Sequence, residues 1–163
     1  MAKAYFAGGC VWCVTPTFRR LPGVLHVTSG YCGGEEESPD YASVKAQRTG
    51  HRETVEVEYD PDRITYADLC EAFLRDVDPF DGGGQFIDRG ASYTLAAFYT
   101  AEKEREIMAE KLRALEASES RPVFVALEPF RRFWIAEEEH QDFDLLHPDA
   151  LAEELRVSGR VKQ

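Results

Sequence analysis

The residues best suited to chemistry lie in one short segment near the start of the chain, residues 8–13, with the sequence GGCVWC. The apolar residues 4–7 precede it and predict a strand, and the paired glycines allow a tight turn. Cys10 would then open a helix, where unpaired N–H groups and a partial positive charge favour a thiolate. Cys13 follows one helical turn later, close enough to form a disulfide with Cys10. The segment therefore predicts redox chemistry at sulfur.

A carboxylate on an alternating strand is the second candidate for chemistry. Residues 53–59 alternate, and Glu53 shares its parity with the apolar positions 55, 57 and 59, which predicts a buried carboxylate. Burial favours the protonated form, and a protonated acid beside a thiolate can supply a proton to a leaving oxygen. The other interpretation places Glu53 at the solvated strand end, paired with Arg52 or Arg63. The pattern alone leaves both open.

Two further cysteines have different surroundings in the sequence. Cys32 lies in the glycine-punctuated residues 30–40, which predict a flexible loop, so it is a second candidate for resolving a sulfenic acid on Cys10. Cys70 falls within the apolar stripe of a predicted helix and is interpreted as core packing.

A structural zinc site is the main competing interpretation of the cysteines. Cys10 and Cys13 have ligand spacing, and Cys32 with His26 or His51 could complete a tetrahedral set. The chain has no second closely spaced ligand pair, and a strand followed by a helix is unlike a zinc ribbon. Catalysis is therefore preferred to zinc, with no metal expected, and His51 and His140 are interpreted as surface or loop groups rather than ligands.

Aromatic side chains near these positions predict a pocket. Trp12 and Tyr31 would form rigid apolar walls suited to a methyl-sulfur group, and the hydroxyls of Tyr31 and Tyr93 could hydrogen-bond an oxygen. Asp88 lies between Tyr31 and Tyr93 along the chain and adds a polar group. The other interpretation places these aromatic residues in the core. This applies most directly to Tyr93, because it opens a predicted strand.

Length and composition narrow the class of protein. The 163 residues fit a single domain, 1–163, with a core large enough to need no disulfide staples. The net charge of −11 argues against nucleic acid or an anionic membrane as partner, since both need a basic surface. No apolar run approaches the length of a membrane span, and no signal-peptide pattern is present. A cytoplasmic location is expected, where cysteines stay reduced.

The order of predicted elements gives the fold class. Strands are predicted at residues 2–7, 24–29, 53–59 and 93–99, with helices at residues 11–21 and after Thr65, which forms a capping box with Asp68. This β-α-β-β-α-β order predicts an α+β fold with a ferredoxin-like split β-α-β core, a two-layer α/β sandwich. A glycine-rich loop is expected at residues 81–90. A helix at 101–117, a strand at 123–127 and an irregular tail would form a C-terminal extension.

Several separated motifs resemble the A-type peptide methionine sulfoxide reductase family, from residue 6 to about residue 159. They occur in the family's order and are more specific together than any one alone. The motifs are GCVWC at 9–13, GYCGG at 30–34, TGHRETV at 49–55, YDP at 59–61, DP at 78–79, GQFIDRG at 84–90 through Tyr93, and AE at 136–137 with HQ at 140–141.

The resemblance implies a catalytic role for four residues. The Cys10 thiol would attack the sulfoxide sulfur and become a sulfenic acid as methionine leaves. Glu53 would supply the proton to the oxygen, which favours the buried interpretation of this residue. Tyr31 and Tyr93 would hydrogen-bond the oxygen.

The resemblance also implies the substrate and its contacts. Trp12 would hold the ε-methyl group, and Asp88 would hold water or the substrate main chain. The family acts on methionine-S-sulfoxide, free or in proteins, with no metal or organic cofactor, and thioredoxin is the expected reductant. Val11 replaces the family's usual phenylalanine, which predicts a weaker grip on the substrate methyl, and Thr94 replaces a common arginine.

The route of regeneration stays open within the resemblance. Many members carry recycling cysteines near the C-terminus, whereas this sequence has none after Cys70. Cys13, Cys32 or an external thiol would therefore resolve the sulfenic acid. Local geometry favours Cys13, with Cys32 the second choice.

Overall fold

The elements of the protein were determined from a computed structural model, which describes residues 1–160. Eight strands and six helices occupy this range, with two short 3-10 turns at Ala91–Tyr93 and Glu138–His140. The strands are β1 (Ala2–Ala7), β2 (Val24–Cys32), β3 (Arg52–Tyr59), β4 (Gly84–Gln85), β5 (Asp88–Arg89), β6 (Leu95–Tyr99), β7 (Val125–Pro129) and β8 (Phe133–Ile135). The helices are α1 (Val11–Arg19), α2 (Tyr41–Lys45), α3 (Tyr66–Asp76), α4 (Glu102–Glu119), α5 (Phe143–Leu146) and α6 (Pro148–Ser158).

The main sheet has six strands in the order β7-β6-β1-β3-β2-β8, and β4 pairs only with β5. β3 lies antiparallel between β1 and β2, which α1 connects, so the β-α-β unit is split as the sequence predicts. β6 is antiparallel to β1 and parallel to β7. The mixed α/β fold class is confirmed.

Alternation along the strands divides the core between the two faces of the sheet. Phe6 and Val55, which are register partners, pack with Phe18 of α1 and Phe73 of α3 in the larger cluster. The ring of Phe6 lies 5.1 Å from that of Phe18 and 5.2 Å from that of Phe73. The opposite face carries a smaller cluster that includes Cys32. Any side chain of β2 or β3 is thereby assigned to one face by its parity.

The start of α3 follows the predicted capping box. The Thr65 side chain accepts a hydrogen bond from the Asp68 amide, and the Asp68 carboxylate accepts one from the Thr65 amide, both at 3.1 Å. These two bonds satisfy amides that a helix N-terminus leaves without partners.

The loop predicted at residues 30–40 is wrong at its start, because β2 continues to Cys32 and pairs there with β8. A Cβ on Gly30 would lie 2.3 Å from the Phe133 ring and 2.3 Å from the Trp134 carbonyl oxygen. The absence of a side chain at Gly30 therefore allows the backbone of β8 to lie close to β2, as glycine within a strand often does. A β-bulge between Val24 and His26 precedes this region.

Smaller corrections concern element ends. Tyr93 lies in a 3-10 turn, and β6 begins at Leu95 rather than at residue 93. The glycine-rich residues 81–90 include the β4–β5 hairpin. Within residues 1–160, no helix combines the length and apolar character needed to cross a membrane.

Candidate active site

Cys10 lies at the N-cap of α1, directly after the turn that follows β1. Its carbonyl accepts hydrogen bonds from the amides of Cys13 at 3.1 Å and Val14 at 3.2 Å, which closes the first turn of the helix. Gly9 has a φ of +90°, and a Cβ there would lie 2.9 Å from the Gln85 side chain. A glycine is therefore required for this close approach to the β4–β5 hairpin. The turn places the Cys10 side chain at the helix N-terminus, as predicted.

Cys10 and Cys13 interact directly across this first turn. A hydrogen bond to Cys13, burial, and the carboxylates of Glu53 and Asp88 raise the pKa of the Cys10 thiol. The hydrogen bond from Cys10 lowers the pKa of Cys13 and, with Arg160, outweighs the opposing effect of its burial. In the free protein, the hydrogen bond to Cys13, burial and the nearby carboxylates thus favour the thiol form of Cys10 and oppose the effect of the helix N-terminus.

Arg160 is a component of the site that sequence reasoning missed. It follows α6, is 4% exposed, and donates a hydrogen bond from Nη2 to the carbonyl of Gly8. Its guanidinium also faces the Phe86 ring, 5.0 Å from the centroid. Gly8 and Arg160 are 152 residues apart in the sequence, so no pattern in the residues around either one predicts their contact. The arginine places a buried positive charge beside Cys13.

Glu53 is buried, 5% exposed, at the start of β3. Its burial raises the pKa to about 7, while hydrogen bonds from the Val11 amide and the Tyr93 hydroxyl oppose the shift. The solvated alternative is wrong, because Arg52 instead donates to Thr94 at 2.9 Å and to Glu128 at 2.6 Å. The buried interpretation, which the alternation allows and the resemblance favours, is confirmed.

The hydroxyls of Tyr31 and Tyr93 both point toward this region. Tyr31 donates a hydrogen bond of 2.8 Å to Glu137, which also accepts one of 2.9 Å from the Tyr41 amide. Burial raises the pKa of both Tyr31 and Tyr93, so each remains a hydrogen-bond donor at neutral pH. Glu137 therefore links Tyr31 to the start of α2.

A stack of aromatic rings holds Trp12. Its ring lies parallel to that of Phe143, with centroids 4.1 Å apart, and 5.6 Å from that of His140. His140 in turn contacts the Tyr41 ring at 4.4 Å. The interpretation of the histidines as surface or loop groups is wrong for His140 and His51, which are 8% and 1% exposed. Trp12 is thus fixed by α5 and the 3-10 turn before it.

These residues surround one cavity of about 230 Å³. The seven residues predicted for catalysis and substrate binding all line it: Cys10, Val11, Trp12, Tyr31, Glu53, Asp88 and Tyr93. Sequence reasoning missed five others that contribute polar or aromatic surface or close the rim: Tyr41, Lys45, Ala136, His140 and Glu154. Burial raises the pKa of Asp88, against the opposing charges of Arg160 and Lys45. The cavity is small, partly enclosed and rich in hydrogen-bonding groups.

The remaining two cysteines lie away from this cavity. Cys32 is 1% exposed on the opposite face of the sheet, and its thiol donates to the Arg132 carbonyl at 3.3 Å. Burial raises its pKa to about 12. The predicted loop mobility of Cys32 is therefore wrong. Cys70 packs in the larger core cluster, as predicted.

The placement of Cys32 also removes the zinc arrangement considered from the sequence. The sheet separates it from Cys10 and Cys13, so the three thiols do not converge. Within residues 1–160, no three His, Cys, Asp or Glu side chains are grouped to hold a metal ion.

The family model described as Peptide methionine sulfoxide reductase matches residues 2–163. The chain belongs to this family. Peptide methionine sulfoxide reductase MsrA of Streptococcus equi subsp. equi is 41% identical over 94% of this chain and 92% of its own length. MsrA 2 of Rhizobium meliloti is 46% identical over 89% of this chain and 72% of its own.

Solved structures of the family share the fold. Reduced Mxr1 from Saccharomyces cerevisiae superposes with a TM-score of 0.85 at 26% identity, covering 91% of this chain and 86% of that one. The same yeast protein has been solved in complex with Trx2, with a TM-score of 0.60 at 19% identity over 85% of this chain and 83% of that one. The chain is a methionine sulfoxide reductase, an oxidoreductase that uses thiols to reduce the sulfoxide.

Proposed function

We propose that Cys10 is the nucleophile of this reductase and that Glu53 is its proton donor. The convergence of a thiol, a buried carboxyl group and two tyrosine hydroxyls on one cavity carries the proposal. The Cys10 sulfur attacks the sulfoxide sulfur, and the oxygen takes a proton and is transferred to Cys10. As the hydroxyl group moves from the methionine sulfur to Cys10, the sulfur–sulfur bond formed by the attack breaks. Methionine leaves with the electron pair of that bond, and Cys10 is oxidised to a sulfenic acid.

The proton balance explains how a thiol of raised pKa can react. Conversion of thiolate, sulfoxide and one proton into sulfenic acid and methionine needs a single proton in the site. A Cys10 thiol beside a Glu53 carboxylate and a Cys10 thiolate beside a protonated Glu53 contain the same number of protons. Because burial raises the pKa of Glu53 to about 7, transfer to Glu53 costs less than it would to an exposed carboxylate. The Cys10–Glu53 pair then holds both the nucleophile and the acid.

The walls of the cavity suit the remainder of the substrate. Trp12, held flat by Phe143, presents an apolar face to the ε-methyl group, with Val11 beside it. When substrate binds, the Tyr31 and Tyr93 hydroxyls turn from Glu137 and Glu53 and donate hydrogen bonds to the oxygen instead. Asp88 accepts one from the substrate main chain or from water. The family resemblance implies that the substrate is the S epimer at sulfur, in free or peptide-bound methionine sulfoxide. The reaction repairs oxidised methionine in proteins.

Cys13 resolves the sulfenic acid in this proposal. It lies one helical turn from Cys10, and the factors that lower its pKa favour a thiolate that attacks the Cys10 sulfenic acid; the hydroxide released takes up a proton and leaves as water. Cys32 lies on the opposite face of the sheet, so its thiol could attack the Cys10 sulfenic acid only if β2 moved. The product is a Cys10–Cys13 disulfide, with no metal or organic cofactor in the cycle.

Thioredoxin is the proposed reductant of this disulfide. The yeast family member Mxr1 has been solved with Trx2, which supports such a partner. Thioredoxin acts on disulfides in reducing compartments, so the proposal includes a cytoplasmic location. It also takes residues 1–163 as a single domain.

The test is a single turnover of the reduced protein with the S and R epimers of a methionine sulfoxide peptide, each without added reductant. Methionine formation and thiol loss are counted per chain. We expect about one methionine from the S epimer only, with two thiols lost and the disulfide mapped to Cys10 and Cys13. The Cys10→Ser variant should form none, and Cys70→Ala serves as the matched control. Loss of thiols to peroxide without any methionine from sulfoxide would instead favour a redox-sensing module and contradict the proposal.

A further inference from the structure

A second cavity, of about 430 Å³, lies against the other side of α1. Its lining includes Cys13 but not Cys10, whereas the substrate cavity is lined by Cys10 but not Cys13. The first turn of α1 therefore separates two cavities, and each contains one sulfur of the proposed disulfide. The other lining residues are Pro16, Thr17, Arg20, Leu21, Ala72, Arg75, Asp76, Leu155 and Arg160.

The charges around this second cavity are distinctive in a chain of net charge −11. Three arginines line it: Arg20, Arg75 and the buried Arg160. Asp76 also lines it, and the Oδ2 atom of this residue is buried without a hydrogen-bond partner among residues 1–160. A buried polar atom without a partner is costly, so it indicates a missing donor. The cavity thus offers cationic groups and one anionic group beside a cysteine.

We propose that this cavity binds a small thiol carrying both carboxylate and ammonium groups, such as cysteine or a cysteine-containing tripeptide of the glutathione type, as a second reductant. The arginines would bind the carboxylates, and Asp76 would accept from the ammonium group or a peptide amide. The inference rests on the proposed Cys10–Cys13 disulfide. It adds a small-molecule route to the reduction by thioredoxin.

The reduction balances with two molecules of the thiol. The first thiolate attacks the Cys13 sulfur, the Cys10–Cys13 bond breaks, and Cys10 leaves as a thiolate that takes up a proton. A second thiolate attacks the mixed disulfide, releases Cys13 and forms the oxidised dimer of the small thiol. Two thiols are oxidised and one protein disulfide is reduced.

Position favours Cys13 as the sulfur attacked. Displacement at a disulfide needs the incoming thiolate, the attacked sulfur and the leaving sulfur nearly in line. A thiol in the second cavity approaches Cys13 from the side opposite the substrate cavity, which Cys10 lines. The Cys10 thiolate that departs is then already in the substrate cavity. The reductant therefore does not have to leave that cavity before the next substrate binds.

The experiment starts from full-length protein oxidised by one turnover with the S-sulfoxide peptide. Methionine is counted, and the disulfide is mapped before a reductant is added. Recovery of the Cys10 and Cys13 thiols is then followed by alkylation and mass spectrometry against the concentration of glutathione, cysteine or the uncharged 2-mercaptoethanol. The variants are Arg20→Gln with Arg75→Gln, and Arg113→Gln on the exposed face of α4 as the matched control.

The expected result is saturation with glutathione or cysteine and a linear dependence on 2-mercaptoethanol. The lower half-saturating concentration identifies which of the two zwitterionic thiols fits better. In the double variant, the efficiency of that thiol relative to 2-mercaptoethanol should fall roughly tenfold, as expected for two lost charge contacts. The ratio should be unchanged in Arg113→Gln.

Three outcomes would contradict the inference in distinguishable ways. A linear dependence on every thiol, or an unchanged ratio in the double variant, would overturn the binding site while leaving the reductase intact. A disulfide other than Cys10–Cys13 would also overturn it, although methionine would still be formed. Failure to form methionine in the first turnover would overturn the proposed function itself.

Discussion

Tyr31 and Glu53 are direct register partners on β2 and β3, and both side chains enter the cavity that contains Cys10. Opposed residues of an antiparallel pair have Cβ atoms about 5 Å apart, so the sheet itself fixes the spacing between a hydroxyl donor and the proposed acid. Tyr93 reaches the same carboxylate from the 3-10 turn before β6. Rigid elements therefore position the groups proposed to contact the sulfoxide oxygen.

Replacing Glu53 by Gln should lower the rate of methionine formation by roughly 100-fold or more, the usual contribution of a general acid. In the wild type, both Glu53 and Cys10 hold protons below pH about 7, because the pKa of Glu53 is about 7 and that of Cys10 is raised. Above pH 7 the pair holds the single proton that the reaction needs. The wild-type kcat/KM should therefore fall as the pH decreases through about 7.

The Glu53→Gln variant should lack this inflection, measured with free methionine-S-sulfoxide. Glu58→Gln, on the same strand with opposite parity, is the matched control and should retain the wild-type profile. A variant that keeps both the inflection and the wild-type rate would exclude Glu53 as the acid.

Replacing Tyr93 by Phe should reduce kcat by roughly tenfold, the cost of one hydrogen bond to a charged or strongly polarised oxygen. It should also shift the pH inflection upward, because the Tyr93 hydroxyl lowers the pKa of Glu53. Tyr31→Phe should reduce kcat similarly without that shift, since Tyr31 donates to Glu137. The pH dependence of kcat/KM for both variants, with Tyr99→Phe as control, distinguishes these effects. Equal inflections in the two tyrosine variants would count against the contact between Tyr93 and Glu53.

Replacing Cys13 by Ser should leave one methionine per chain but reduce the thiols lost in a single turnover from two to one. A persistent sulfenic acid on Cys10 should then be trapped by a dimedone-type reagent. Cys32→Ser should still lose two thiols, because Cys32 lies on the far face of the sheet. A Cys10–Cys32 bridge in the wild type would show that β2 opens during the cycle, contrary to this proposal.

Replacing Val11 by Phe should lower KM for methionine sulfoxide, because a larger ring would extend the apolar wall beside Trp12. Val11 is also 6% exposed within the larger core cluster, so the ring should cost about 1–3 kcal/mol of stability through overpacking. Steady-state kinetics and thermal unfolding separate the two effects. An unchanged KM in a folded variant would mean that the substrate methyl does not contact position 11.

Sequence patterns predict the site where the signals are local. The parity of Glu53 with its apolar neighbours places it on the face of β3 that packs under the helices, and the family resemblance decides for burial over a solvated strand end. Thr65 and Asp68 predict the start of α3, because a capping box involves only four consecutive residues. The glycines before Cys10 likewise predict the turn into α1.

Sequence patterns fail where a distant segment decides the structure. Gly30 suggests a loop, yet β8, more than 100 residues later in the chain, makes it part of a strand and fixes Cys32 on the far face. His140 becomes buried only because Trp12 and Tyr41 pack against it. Arg160 reaches Gly8 only in the folded chain. These residues have no signal in their own neighbourhoods.

The bulge between Val24 and His26 adds one residue to β2 upstream of the active site. Because side chains alternate with a period of two, a slip of one residue in this pairing would exchange the phenol of Tyr31 for the thiol of Cys32 in the cavity. The number of residues that lead into the strand thus determines whether an oxygen-binding group or a second oxidisable sulfur faces Cys10. Single-residue insertions or deletions near residue 25 are a route by which a chain of this fold could change its pattern of disulfide formation without any substitution inside the active site.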